Sequence, residues 1–285
     1  MSSNKKRKYY SYKDSIQSSD LLTLSEIRTI YKDYKHDLVE RFEMNITLHD
    51  VGCIFYLIYL KSKYNCHVSI SENEMMEISL NHNSILEWLE ELDYYVDDEI
   101  HPKFLIYFKN KEFYYDPNII QMNSSQLQIH LVSHTFPFGS GHIGAILIQE
   151  NKCYYFDSNG LKDSDDPFYY NDFFEKLNME MKKYQIDFVP FYWKRGIQCY
   201  QECENDRYRI NMIGMCCSWS FYILELKLLN PKLSIEDIEN SIKKRYRNRL
   251  TRMISTYQQR IHKILWNIAK DIYLKFYSSN KNNNV

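Results

Sequence analysis

The sequence predicts an α+β fold in which helices pack against a mainly antiparallel sheet. Apolar residues recur at helical spacing through residues 21–97, whereas from Pro102 onward short runs of β-branched and aromatic residues take over. Polar gaps of turn length, at 109–112 and 149–152, separate neighbouring runs and indicate antiparallel hairpins. After the strands, long segments of helical pattern close the chain.

The N-terminal segment predicts a helical lobe. Leu24, Ile27 and Tyr31 belong to the first helical pattern, and further helices are expected at 50–64, 72–80 and 84–92. We find no catalytic spacing in this lobe. Its histidines are expected to be surface or packing residues: His36, His49, His67 and His82.

The second half of the chain predicts five strands and then mostly helices. The strand runs are FLIYF, EFYYD, LQIHLVSH, HIGAILIQ and KCYYFDSN. A helix is expected at 170–184, a strand at 186–192, a helix at 215–229 that ends at Asn230-Pro231, and two helices at 235–245 and 250–276. The sequence therefore divides into a basic disordered tail (1–20), the helical lobe (21–98), a second domain (99–277) and a polar disordered tail (278–285).

Composition and charge exclude several classes of protein. Hydrophobic residues make up 44% and charged residues 26% of 285 residues, as in ordinary globular proteins. The net charge of −1 argues against a dedicated nucleic-acid binder, because no overall positive field would gather phosphates. The longest apolar run, 51–60, contains Gly52 and is too short to cross a bilayer, so we expect no membrane partner.

The cysteines and the N-terminus bear on localisation. Seven cysteines, an odd number, follow a basic N-terminal segment without a secretory signal, which indicates reduced thiols in a cytosol-like compartment. The run Lys-Lys-Arg-Lys at 5–8 is either an ordinary basic tail or a nuclear import signal. We expect a protein of the cytoplasm or nucleus of a host cell, or of a virion, and not a secreted one.

Three short segments carry the chemistry. His142 opens a strand, Asp157 ends the partner strand, and Cys216 begins an apolar helix. The ends of an antiparallel pair lie side by side, so the imidazole and the carboxylate are expected to form a hydrogen bond. A helix N-terminus and a nearby imidazolium both lower the pKa of a thiol, which makes Cys216 a candidate nucleophile and His142 its base.

These segments resemble the cysteine peptidase superfamily of the adenovirus protease and the SUMO and ubiquitin-like-protein proteases. The resemblance rests on the following segments, in the order His, Asp, Gln, Cys: HIGAILI, YYFDSNG, RGIQ and GMCCSWSFYILELKLLNP. It is closest to a branch from large DNA viruses and some eukaryotes in which a G-[FY]-C-x-x-W-S helix recurs. This chain departs from that pattern at Met215, where the pattern has an aromatic residue. The similarity covers residues 129–231.

The resemblance implies a papain-like core with the nucleophile on a central helix. It implies hydrolysis of peptide or isopeptide bonds in a protein substrate, such as a conjugate of a ubiquitin-like modifier or a viral precursor protein. We expect no cofactor and no metal. Carried over by position, Cys216 is the nucleophile, His142 the general base and acid, and Asp157 the residue that orients His142. Gln198 is the oxyanion donor together with the Cys216 backbone N–H.

The assignment of Gln198 is open to one alternative, Gln201. Better-known members of the superfamily have this Gln about six residues before the Cys, whereas 18 positions separate Gln198 from Cys216. We expect a loop at 200–213 to span that distance. Gln198 is favoured because Arg195-Gly196-Ile197-Gln198 follows a predicted strand.

Other interpretations of the same residues remain. Cys217 is either a core residue or the nucleophile, and Trp219 either walls a cleft or packs in the core. Cys199, Cys203, Cys216 and Cys217 form an alternative zinc cluster, although adjacent helical cysteines diverge. The basic block at 243–252 is either a solvated helix end or a weak contact for a polyanion. Rival functions are an acetyltransferase on the same scaffold, an inactive binding module and a polyanion-binding protein.

Overall fold

The structure is a computed structural model. It describes residues 50–68, 105–122, 124–135, 141–160, 167–190, 195–208 and 215–282. The predicted basic tail at 1–20, the helices expected near Leu24 and at 72–80 and 84–92, and His36, His49 and His82 lie outside these residues.

The described residues form six α-helices, six strands and one 3₁₀ turn at Pro117–Ile119. The strands are β1 (Ile106–Lys109), β2 (Glu112–Tyr114), β3 (Gln128–Thr135), β4 (Gly141–Gln149), β5 (Lys152–Phe156) and β6 (Asp187–Phe188). The helices are α1 (Asp50–Tyr64), α2 (Pro167–Lys183), α3 (Ile197–Tyr208), α4 (Cys216–Leu229), α5 (Ile235–Tyr246) and α6 (Leu250–Asn282).

The six strands form one mixed sheet in the order β2-β1-β3-β4-β5-β6. The pairs β1–β2, β3–β4 and β4–β5 are antiparallel, whereas β1–β3 and β5–β6 are parallel. Both predicted hairpins are present. Their turns have two consecutive residues with positive φ, Asn110-Lys111 and Glu150-Asn151, a backbone that matches the right-handed twist of the strands. The predicted α+β class is confirmed.

The sheet lies between two buried clusters because alternate residues of its strands face opposite sides. Leu131 and Leu147 face a cluster built with α1, α4, α5 and α6. Val132 and Ile146 face the other cluster, which contains the buried side chains of α2. Helices thus cover both faces of the central strands.

Helix α1 belongs to the first of these two clusters. Cys53, Tyr56 and Leu60 are fully buried in the cluster that also contains Trp219 and Tyr257, on α4 and α6. The sequence assigns this helix to the helical lobe, 21–98. In the described residues, α1 packs with α4 and α6 on one face of the sheet.

Three elements differ from their predicted bounds. Helix α2 begins at Pro167 rather than 170, since proline is favoured in the first turn of a helix. Strand β6 has only two residues instead of the expected 186–192, and Pro190, which has no N–H to donate, follows closely. The loop expected at 200–213 is wrong for residues 200–208, which belong to α3, and residues 209–213 lie outside the described residues.

Helix α6 is 33 residues long and continues to Asn282, into the segment 278–285 for which the sequence predicts a tail. A helix of this length spans a bilayer only if it is also apolar. Among the described helices, none is both long and apolar enough to span a membrane.

Candidate active site

The start of β4, the end of β5 and the start of α4 meet at one end of the sheet. His142 is the second residue of β4, and Asp157 directly follows β5. His142 Nε2 lies 2.9 Å from Asp157 Oδ1, and both side chains are almost fully buried. The structure therefore brings together the imidazole and the carboxylate that the sequence paired.

Cys216 meets the same imidazole from the helix side. It is the first residue of α4, and its side chain interacts with the His142 ring by charge and by hydrogen bonding. Since Nε2 bonds Asp157, Nδ1 is the ring nitrogen left for the sulfur. The helix is held in place by Ser220, whose Oγ donates to the Ile143 carbonyl of β4 at 3.1 Å.

The N-terminus of α4 has no side-chain cap among the described residues. Its N-cap, Met215, makes no side-chain hydrogen bond to the helix. The first backbone N–H groups of a helix have no partner within the helix, and they carry part of the positive end of its dipole. The Cys216 sulfur thus lies where an anion is stabilised.

The three groups shift one another's pKa values toward an ion pair. Burial opposes the charge on His142, but Asp157 and Cys216 raise its pKa well above the usual value. Burial likewise opposes a thiolate, yet His142 and a backbone hydrogen bond with Ile143 lower the pKa of Cys216. The pKa of Asp157 is lowered against burial by His142, by His134 and by the Asn159 N–H. The site can hold a thiolate beside an imidazolium.

The turn after β5 holds Asp157 in place. Asn159 N donates to Asp157 Oδ1 at 2.8 Å, and Gly160 N donates to the Asp157 carbonyl at 3.2 Å. Gly160 has a φ of 69°, a conformation that glycine adopts without strain. The turn at 157–160 therefore fixes the carboxylate.

Gln198 lies in the first turn of α3 against this turn. Its backbone N donates to the Ser158 carbonyl at 2.8 Å, and its Oε1 accepts from Ser158 Oγ at 2.8 Å. Its Nε2 donates to Glu202 Oε1 at 2.9 Å. Gly196 permits this packing, because a Cβ there would overlap the backbone of residues 158–160. The side chain of Gln198 is thus tied to the residue next to Asp157.

Gln201, the alternative, lies deeper. Its Oε1 accepts from Trp219 Nε1 at 3.3 Å, and both side chains are fully buried. Its Nε2 has no hydrogen-bond partner among the described residues. Trp219 consequently packs in the core and forms no cleft wall.

Cys217 points away from the imidazole. Its sulfur lies 3.0 Å from the sulfur of Cys53 on α1, where both residues are buried. Cys199 Sγ contacts the Asn159 carbonyl, and Cys203 Sγ contacts Arg195. The described residues contain no cluster of three or more potential ligands that could hold a metal ion. The four cysteines of the zinc alternative therefore do not converge.

The basic block spans the end of α5 and the start of α6. Ser234 caps α5, acidic residues occupy its first turn, and Lys243, Lys244 and Arg245 lie in its last turn, as the helix dipole favours. A surface cavity of about 450 Å³ lies beside it, lined in part by Lys243, Arg247 and Arg207.

Two tyrosines at the site were missed by the sequence analysis. Tyr155 and Tyr170 donate to Asp157 Oδ2 at 3.0 and 3.1 Å. Tyr155 precedes Asp157 by two residues, which places it on the same face of an extended chain, so a signal existed. Tyr170 comes from α2, and its spacing in the sequence carries no such signal.

Comparison with known proteins adds no relative. The chain matches no protein-family model, and no curated protein matches its sequence.

Proposed function

We propose that this protein is a cysteine peptidase with a papain-like core, which hydrolyses peptide or isopeptide bonds in protein substrates. The observation that carries the proposal is the contact chain Cys216–His142–Asp157 at the uncapped N-terminus of α4. A nucleophile, a base and a group that orients the base make up a hydrolytic triad.

The reaction begins with the thiolate of Cys216. It attacks the carbonyl carbon of the scissile bond, and His142 gives its proton to the leaving amine to form a thioester. His142 then removes a proton from water, which attacks the thioester and releases the acid and the thiol. Asp157 keeps the ring oriented and stabilises the imidazolium in both steps.

The oxyanion of each tetrahedral intermediate needs preorganised donors. We assign one to the backbone N–H of Cys216 and the other to Nε2 of Gln198. Gln198 is favoured over Gln201 because Ser158 fixes its Oε1 and leaves one Nε2 hydrogen beyond the bond to Glu202. The carboxamide oxygen of Gln201 is instead bound to Trp219 in the core.

The proposed substrates are conjugates of ubiquitin-like modifiers or a viral precursor protein, in the cytoplasm or nucleus of a host cell. The proposal about substrates is supported by the resemblance of the segments around His142, Asp157 and Cys216 to the adenovirus and SUMO proteases. A weak contact of residues 243–252 with a polyanion is a lesser part of the same proposal.

The test is covalent labelling with ubiquitin and SUMO probes that carry a C-terminal electrophile, together with cleavage of diglycine-linked peptides. We expect labelling of the wild type, none of Cys216→Ala, and wild-type labelling of Cys217→Ala, the matched control one residue away. Circular dichroism checks that each variant is folded. Equal labelling of wild type and Cys216→Ala, or turnover of acetyl-CoA without hydrolysis, would contradict the proposal.

A further inference from the structure

The Asp157 carboxylate has a donor at each of its four acceptor positions. Oδ1 accepts from His142 Nε2 and Asn159 N, and Oδ2 accepts from the hydroxyls of Tyr155 and Tyr170. An ionised carboxylate accepts about four hydrogen bonds, so this group is saturated although it is only 1% exposed. Two of the four donors are phenols.

The hydroxyl of Tyr155 is itself oriented by a second histidine. His134 Nε2 lies 2.8 Å from Tyr155 Oη, and His134 Nδ1 lies 3.2 Å from Tyr169 Oη. Burial, with the nearby His142, lowers the pKa of His134 to about 3, so the ring is neutral at physiological pH. The Tyr155 hydroxyl gives its hydrogen to Asp157, so His134 Nε2 is the protonated nitrogen that donates to Tyr155 Oη. The Tyr169 hydroxyl donates to the Phe108 carbonyl at 3.2 Å.

The backbone makes room for this arrangement. His134 and His142 are directly paired on β3 and β4, which places the neutral ring beside the reactive one. A Cβ at Gly144 would overlap the hydroxyl of Tyr155, so the phenol crosses β4 at a position that has no side chain. Strand β4 thus carries both the reactive histidine and the gap for the tyrosine.

We propose, resting on the proposed function, that Tyr155 and Tyr170 are positioning residues that hold Asp157 ionised with Oδ1 toward His142, and that His134 orients Tyr155. The phenols occupy Oδ2 so that the carboxylate cannot turn its second oxygen to the ring. They also supply the solvation that water would give an exposed carboxylate. Both hydroxyls donate to Asp157 Oδ2, so both act through this carboxylate.

The experiment measures the pH dependence of Cys216 alkylation by iodoacetamide in the full chain, read by mass spectrometry of the Cys216 peptide, and kcat/KM for peptide cleavage. Tyr155→Phe and Tyr170→Phe each keep the ring and remove the hydroxyl. In each variant we expect Cys216 to be alkylated over a narrower range of pH (the pH window) than in the wild type. We also expect kcat/KM for peptide cleavage to be roughly tenfold lower with KM little changed, as for loss of a hydrogen bond to a charged group.

A double-mutant cycle separates positioning from general support of the fold. If the phenols act through the carboxylate, Tyr170→Phe has no further effect once Asp157→Ala is present. Tyr257→Phe is the matched control. The buried Tyr257 hydroxyl also donates to a carboxylate, Glu225 Oε2, over a distance of 3.0 Å, and this pair lies outside the site. We expect this control to change stability and to leave the alkylation window unchanged.

Two results would overturn the inference. One is a wild-type pH window in both tyrosine variants, and the other is an equal loss of kcat/KM when Tyr170→Phe is made in the wild type and in Asp157→Ala. The alkylation readout needs no substrate. A wild type that shows the pH window but cleaves nothing would therefore refute the proposed function while the tyrosine inference is still tested.

Discussion

His142 Nε2 is bonded to Asp157 Oδ1 at 2.9 Å, which leaves the other ring nitrogen for the sulfur of Cys216. The ring thus lies between a carboxylate and a thiol, in a site from which most water is excluded. Each neighbour favours the charged ring, and the charged ring favours the thiolate. The pH dependence of reactivity follows from these mutual effects.

The first prediction concerns the pH profile. The pKa of Cys216 is lowered and that of His142 is raised, so the thiolate–imidazolium pair exists above the first pKa and below the second. We expect kcat/KM to rise through the pKa of Cys216 and to fall through that of His142. Asp157→Asn removes the charge that raises the pKa of His142, so the alkaline limb moves to lower pH by about one unit or more.

The control for this profile is a carboxylate remote from the site. Glu180 accepts from Tyr115 Oη on the α2 side of the sheet, and Glu180→Gln removes the same charge. We expect this variant to keep the wild-type alkaline limb. An unmoved limb in Asp157→Asn would show that the carboxylate does not stabilise the imidazolium.

The second prediction separates the two glutamines. Gln198→Ala should lower kcat by roughly 10²–10³, equivalent to about 2.7–4 kcal/mol, because one oxyanion donor is lost. Gln201→Ala should instead lower the free energy of unfolding by about 1–3 kcal/mol, because Trp219 Nε1 loses its acceptor in the core. Steady-state kinetics and urea denaturation of both variants measure the two effects. The reverse pattern in kcat would assign the donor to Gln201.

The third prediction tests the contact between the start of α3, which carries Gln198, and the turn at 158–160; we call this contact the junction. A Cβ at Gly196 would overlap the backbone of the turn at 158–160, so Gly196→Ala must push the start of α3 away from that turn. We expect a loss of about 1–3 kcal/mol in the free energy of unfolding, together with a lower kcat. Gly141→Ala is the control, since the nearest atom to its Cβ is 3.9 Å away. Similar behaviour of the two alanine variants would argue against a tight junction.

The site was predictable where chemistry and local pattern agree. The bounds of α1 and the start of α4 follow from apolar pattern, and the turn after Asp157 follows from its Asp, Asn and Gly. Helix α3 was missed because its residues 200–208, YQECENDRY, are polar and show no apolar period. The bonds of Tyr170 and Gln198 depend on how α2 and α3 pack on the turn, which no local spacing encodes.

The fourth prediction concerns a buried ion pair behind the nucleophile helix. Glu225 of α4 binds Arg260 of α6 through both oxygens, at 2.6 and 2.8 Å, and also accepts from Tyr257. Arg260→Met leaves a buried carboxylate without its cation, which should lower the free energy of unfolding by about 3–5 kcal/mol in urea denaturation. The double variant Glu225→Met with Arg260→Met should recover much of that loss. A single variant as stable as the wild type would show that the pair is dispensable.

The last prediction concerns acid stability, and it depends on His130 of β3. Burial, with the nearby His67, lowers the pKa of His130 to about 3, and its Nε2 has no partner among the described residues. Between about pH 6.5 and 3 the unfolded chain therefore binds a proton that the folded chain does not, so stability is complete above about pH 6.5 and falls on acidification.

This single group should remove about 2 kcal/mol at about pH 5 relative to neutral pH. In His130→Leu the proton uptake is absent, so the slope of the unfolding free energy against pH should fall by one proton across this range. Urea denaturation at several pH values measures that slope in the wild type and in His130→Leu. An unchanged slope in His130→Leu would mean that His130 is already protonated in the folded chain, and its buried nitrogen would then require a partner.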